Sequence, residues 1–269
     1  MTKSNLSLFS ARAPSKSNLF RFSWLMVVAV VLASGIAEAQ FRRFRGTGRM
    51  ADCVYDTEHR PPRTEFVVAR WHFGTNGLIG NCGWSHNFPE SEINLNEFIG
   101  RTTRVDVDDG SYRLLELSSP EIFEYPFTYI SEPGEMEMTE AEVANLREYV
   151  DRGGFVLIDD FDHEHMDNLR EEMRRVFGDR SFVRLTETNP IFDLAYKVDD
   201  LHGMDPYVQG DDPVYYGFDN DQGQIAMVAL HNNDLANFWE WYGSPGYPLK
   251  PSTDAFRLGT NFLVHAMTH

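Results

Sequence analysis

Six side chains able to hold a metal or a proton fall within seven positions: Asp159, Asp160, Asp162, His163, Glu164 and His165, closing the stretch "DRGGFVLIDDFDHEH". Imidazole and carboxylate groups together suit zinc or manganese, and three such ligands are enough to begin a site. The spacing is not the H-E-x-x-H of a metal-binding helix. Clustered Asp and His are equally the residues of a solvated loop that caps a following helix, with Asp167 before "NLREEMRRVF" as the cap. The pattern favours capping and solvation, and no metal ligand is assigned from it.

A second concentration runs from His231 to Tyr247 in "HNNDLANFWEWYGSPGYP". Asn232, Asn233, Asp234 and Asn237 offer hydrogen bonds, while Phe238, Trp239, Trp241, Tyr242 and Tyr247 offer flat apolar faces. That mixture suits an oriented small ligand such as a sugar ring. The alternative is that the aromatic residues plug the core beneath a long loop. Just upstream, Asp219, Asp221 and Gly223 invite a calcium-loop reading, but the glutamate required at the twelfth position is Leu230, so "DNDQG" reads as a hairpin turn.

These residues need elements to carry them. Thr139 with Glu142 forms a capping box, Val143, Leu146, Tyr149 and Val150 repeat at helical spacing, and Gly153 and Gly154 end the helix. "FVLI" (Phe155 to Ile158) reads as a fully buried parallel strand. With "PFTYIS" before it, the unit is βαβ, which places Asp159 and Asp160 at the carboxyl end of a parallel strand, where open α/β sheets bind ligands. "IAMVAL" (Ile225 to Leu230) is a second buried strand ending at His231. Asp159, Asp160, His231, Asp234, Trp239 and Trp241 are therefore the candidate ligand-contacting residues, provided both strands end at one edge of the sheet. Upstream, "EFVVARWHF" reads as a strand, "SEINLNEFIG" as a short helix ended by Gly100, and "TRVDVDD", "YRLLEL" and "EYPFTYIS" as three more strand candidates.

The formal charge is −17. Such a surface repels nucleic-acid phosphates and anionic lipid, which argues against a nucleic-acid partner. The basic run "FRRFRGTGR" (Phe41 to Arg49) reads as a solvated linker. Before it, Arg12, Lys16 and Arg21 precede the apolar "FSWLMVVAVVLASGIA", and "AEA" (Ala37 to Ala39) has the small-x-small pattern of a signal-peptidase site. The apolar stretch is shorter than the roughly 20 residues of a spanning helix. The expected organisation is a signal peptide over 1–39, a linker and N-terminal extension over 40–64, and a single α/β domain over 65–269, exported to the periplasm or secreted, with no stable membrane insertion after cleavage. In that compartment Cys53 and Cys82 read as one disulfide. Two free thiols, or a nucleophilic Cys82 with His86 four residues on in "NCGWSH", are the alternatives.

"YPFTYISEPGEMEMTEAEVANLREYVDRGGFVLIDD", "LREEMRRVFGD", "NPIFDLAYKVDDLHG" and "AFRLGTNFLVHAMTH" together resemble domain-of-unknown-function family 4159, exported or membrane-tethered bacterial proteins. The likeness runs from about Glu65 to His269. It implies a flavodoxin-like three-layer sandwich with a mostly parallel central sheet, of the class I glutamine amidotransferase-like kind. It implies no reaction and supplies no catalytic residues. The family often has "HPIF" where this chain has Asn189, Pro190, Ile191 and Phe192, which argues against an acid-base role at position 189. Amidotransferases of this fold carry a cysteine on a glycine-flanked elbow; no such motif occurs here, and Cys82 lies in the wrong unit.

The functional expectation is a non-catalytic domain that binds a small-molecule or glycan ligand, or a partner, in the crevice at the strand ends. The alternative is a metal-assisted hydrolase, possibly acting on carbohydrate, with Asp159, Asp160, His163 or His165 joined by His72, His231 or Asp234. No motif names a cofactor. The leader carries a direct test: N-terminal sequencing of the mature protein is expected to begin at Gln40, and a mature chain beginning at Met1 or Thr2 contradicts the cleavage.

Overall fold

The computed structural model describes Cys53 and residues 56–198, 200–202 and 211–269. The expected leader and the basic run of the linker lie outside the described residues. In chain order the elements are β1 (Ala69–His72), α1 (Glu90–Thr102), β2 (Arg113–Glu116), β3 (Phe127–Ser131), α2 (Glu140–Asp151), β4 (Phe155–Phe161) and α3 (His163–Phe177). Next come β5 (Val183–Arg184), β6 (Val214–Asp219), β7 (Ile225–His231), α4 (Leu235–Glu240) and α5 (Leu249–Thr268).

The strands form one sheet in the order β2-β1-β3-β4-β7-β6-β5. Neighbours from β2 to β7 pair parallel, while β6 runs antiparallel to β7 and β5 antiparallel to β6. β4 sits between β3 and β7 and is buried along its whole length, as a run of apolar residues in a two-sided sheet requires. Its side chains alternate between two cores. Val156 and Ile158 pack with Leu146 and Val150 of α2 and Leu169 and Met173 of α3. Phe155 and Leu157 pack with Leu95 and Ile99 of α1, Trp239 of α4 and Phe262 of α5. Helices therefore cover both faces of a mostly parallel sheet.

Local signals set most element ends. Thr139 accepts from the Glu142 amide while the Glu142 carboxylate accepts from the Thr139 amide, so α2 starts at its capping box. It ends before Gly153, whose φ of 88° would strain any other residue. Three expectations change. α1 continues through Gly100 to Thr102, because an exposed glycine inside a helix costs only about 1 kcal/mol and Glu97 pairs with Arg101 across it. "TRVDVDD" forms no strand: the Asp106 carbonyl accepts from the Glu65 and Phe66 amides, and Val105 and Val107 pack on the α1/α5 core from a loop. α3 begins at His163 with Asp162 as its N-cap residue, so "HEH" is helical and Asp167 lies inside the helix beside Arg170. Cys53 and Cys82 are joined in a disulfide with Cα atoms 5.7 Å apart.

An aspartate in the middle of β4 would leave an uncompensated charge between the two cores, a cost of several kcal/mol. Val156→Asp and Leu157→Asp are both expected to abolish the cooperative thermal transition, read by circular dichroism on purified protein.

Candidate functional site

The carboxyl edge of the sheet is shaped by an extra residue in β4. Ile158 and Phe161 both belong to the α2/α3 core although three residues apart, and the pairing of β4 with β7 shifts register between them. Asp159 keeps the alternation and faces α4. Asp160 is the inserted residue, held at φ 61° in the left-handed region. The bulge turns its carboxylate along the sheet edge towards β3 and β1, where Oδ2 accepts from Ser131 Oγ at 3.1 Å and lies 3.1 Å from His86 Nδ1.

Glu132 meets Asp160 from β3. It is the first residue past the strand, also left-handed (φ 52°, ψ 57°), and leads into a 3-10 turn over Pro133–Glu135. A glutamate there carries about 1 kcal/mol of backbone strain or more. Its side chain is 2 % exposed, with Oε1 3.4 Å from His86 Nδ1 and Oε2 3.4 Å from His165 Nδ1. Oε2 accepts no hydrogen bond from the described residues, and His165 Nδ1 makes none. Gly134 gives the His165 ring its place, since a Cβ there would stand 2.3 Å from the ring.

His86 comes from the loop between β1 and α1, which three buried charges hold in place. Arg70 of β1 donates to the carbonyls of Trp84 (2.8 Å) and His86 (3.0 Å) and pairs with Glu92 of α1 at 2.6 Å. Glu135 accepts from the amides of Ile79, Asn81 and Gly83. The imidazole itself is 41 % exposed, the opening of an otherwise buried group. Asn87 beside it bonds Glu240 at the end of α4.

The remaining carboxylates approach from the α4 side. Asp159 Oδ2 accepts from the Leu235 and Ala236 amides at 2.6 and 3.1 Å and from Tyr129 Oη at 2.9 Å, while Asp234 caps the Asn237 amide. Four acidic groups thus share one edge. Burial, then the charge of Asp160, pushes Asp159 up to about 7, and the same two causes raise Asp234. Burial also raises Glu132. Hydrogen bonds that it donates to Asp160 and then to Glu132 raise the His86 imidazolium to about 10. His86, Glu132 and Asp160 offer ligand atoms all within 4.8 Å of one another.

The residues expected from sequence divide. Asp159, Asp160 and Asp234 do gather at one edge, because β4 and β7 are parallel neighbours. His231 does not join them: its ring lies on the opposite face against Phe161, His163 and Tyr216. Trp239 is 1 % exposed, packed on Tyr129 and against Gly259, and has no open face for a ligand; it serves the core. Trp241 is 44 % exposed and stacks beside Tyr247. His163 pairs with Asp211, and His72 with Glu116, both apart from the cluster. Cys82, being bridged, offers no thiolate. Glu132 was missed, although it is the first residue beyond a recognised strand, and His86 was noted only as a neighbour of Cys82.

The fold and site define an α/β domain with a cluster of carboxylates at the carboxyl ends of parallel strands. The family described as "Domain of unknown function (DUF4159)" matches residues 73–267, and the chain belongs to that family. No curated protein matches it.

Asp159 is a support, and its variants separate charge from hydrogen bonding. Asp159→Ala orphans two buried amides and a phenol, at about 1–3 kcal/mol for each lost acceptor, and is expected to lower the melting temperature sharply. Asp159→Asn keeps one acceptor oxygen and removes a buried charge, so its stability at neutral pH is expected within about 1 kcal/mol of the parent in urea unfolding.

Proposed function

We propose that this protein is an exported, non-catalytic α/β domain of flavodoxin-like, amidotransferase-like architecture that binds a small polar or glycan-type ligand in the crevice at the strand carboxyl ends. The observation that carries the reading is the convergence of Glu132, Asp160 and the partly exposed His86 at one edge of the sheet. The strand order 2-1-3-4 reverses direction between β1 and β3, and the crevice at such a reversal is where doubly wound sheets take ligands. His86 and Glu132 flank that point. Two left-handed residues that are not glycine, Glu132 and Asp160, hold their carboxylates there at a cost in backbone energy.

The chemistry of the lining suits hydroxyl or cationic groups. Carboxylates accept hydrogen bonds from hydroxyls, and the exposed Trp241, which follows the Glu240 that bonds Asn87 next to His86, is the candidate for a flat apolar face. A metal-assisted hydrolase is the second reading, favoured by the spacing of the His86–Glu132–Asp160 trio.

The test is a glycan and small-molecule screen by thermal shift on the purified protein, repeated on Asp160→Asn and Trp241→Ala. Each variant is expected to melt within a few degrees of the parent and to weaken the hit by about tenfold, roughly 1.4 kcal/mol. A hit that both folded variants bind as well as the parent removes the crevice from the reading.

A further inference from the structure

We propose that His86, Glu132 and Asp160 form a binding site for one divalent transition-metal ion of the zinc or manganese class. The inference rests on the crevice reading above and names what its carboxylates hold.

Geometry is the first support. Nδ1 of His86 lies 3.1 Å from Asp160 Oδ2 and 3.4 Å from Glu132 Oε1, and one ligand atom from each residue falls within a 4.8 Å span. Ligands bound at about 2.0–2.2 Å from a common ion stand roughly 3–4 Å from one another, so the trio needs only small rotations about side-chain bonds to close on a cation. One imidazole and two carboxylates form a mixed nitrogen and oxygen set, which suits zinc or manganese better than the all-oxygen set that calcium prefers.

An unsatisfied oxygen is the second and independent support. Glu132 is 2 % exposed, yet its Oε2 accepts no hydrogen bond among the described residues. Buried carboxylate oxygens are rarely left so, because the group gives up its hydration on burial. The atom facing it, His165 Nδ1, is also without a hydrogen bond at 3.4 Å. Gly134 alone admits the ring that brings it there. His165 is thus placed either to bond the far oxygen of a metal-bound Glu132 or to enter the coordination sphere as a fourth ligand, the arrangement in which outer partners orient metal ligands.

Charge is the third. Asp159 and Asp234 stand behind the trio, and their own hydrogen bonds go to Tyr129 and to the first turn of α4. The nearby cation Arg70 is matched by Glu92. Four carboxyl groups therefore stand at this edge against the one imidazole of His86, and a divalent ion would meet that acidic excess, displacing any proton its ligands carry.

The experiment is calorimetric titration of chelator-treated protein with zinc chloride and, separately, manganese chloride, with elemental analysis after desalting. One equivalent per chain is expected from at least one of the two ions. His86→Ala, at the exposed ligand on a loop, and Glu132→Gln are each expected to weaken binding more than about tenfold, while His163→Ala on the opposite face leaves it unchanged. Circular dichroism melts show that each variant is folded, and His86→Ala keeps the test open if the buried Glu132 variant is not. Failure of the folded parent to bind either ion, or equal binding by parent and His86→Ala, overturns the proposal. A parent that binds a screened ligand but neither ion loses the metal and keeps the crevice; one that binds the ion through His86 but no screened ligand keeps the metal and loses the glycan-type ligand.

Discussion

One inserted residue in the central strand governs the functional edge of this molecule. Without the bulge, β4 would send Asp159 and Phe161 to one face and Asp160 to the other, and an aspartate would point into the α2/α3 core. With it, Phe161 stays in that core, Asp159 faces α4 and Asp160 turns along the edge. The two adjacent carboxylates consequently do different work. Asp159 is spent on internal donors, while Asp160 is left to Ser131 and His86.

Gathering carboxylates in this way is unfavourable by itself. At an effective dielectric constant near 20, two like charges at the 4.8 Å limit of the trio repel by roughly 3–4 kcal/mol. Stiff surroundings keep them from separating. Arg70, Glu92 and Glu135 are buried charges whose hydrogen bonds go mainly to the loop that carries His86 or to each other. The disulfide at Cys82 adds a covalent tie to the same loop. Buried ionic groups contribute little net stability after desolvation, so their placement here is better understood as fixing one geometry of the loop that carries His86.

The order of strands and helices from Phe127 to Phe177 was legible because each signal was local. A capping box, a helical repeat, paired glycines and an apolar run of strand length follow one another without conflict. Asp159, Asp160 and Asp234 were grouped only on the condition that both strands end at one edge of the sheet, a condition that the parallel pairing of β4 with β7 meets. His231 was misplaced because face depends on strand parity and on bulges, and a bulge at Asp160 leaves no mark in composition. Trp239 stayed open between ligand contact and core in the sequence, because "LANFWE" is too short for helical periodicity to separate a buried face from an exposed one; its burial meets the core alternative. The strand expected at "TRVDVDD" failed for a related reason: alternation of Val with Asp and Arg describes any half-buried extended segment, paired or not.

Glu132 shows where local reading ends. Nothing in "ISEPGE" beyond the proline and glycine marks a turn, and glutamate is a poor choice for a left-handed position that Asn or Gly occupies freely. Its backbone conformation follows from demands on both sides: β3 must end in register with β4, and the 3-10 turn must carry Glu135 back to the amides of Ile79, Asn81 and Gly83. A glycine would meet both demands without strain. The glutamate therefore needs a reason outside the backbone, and its buried carboxylate, facing His86 through one oxygen and His165 through the other, is the only part of the residue that can supply it.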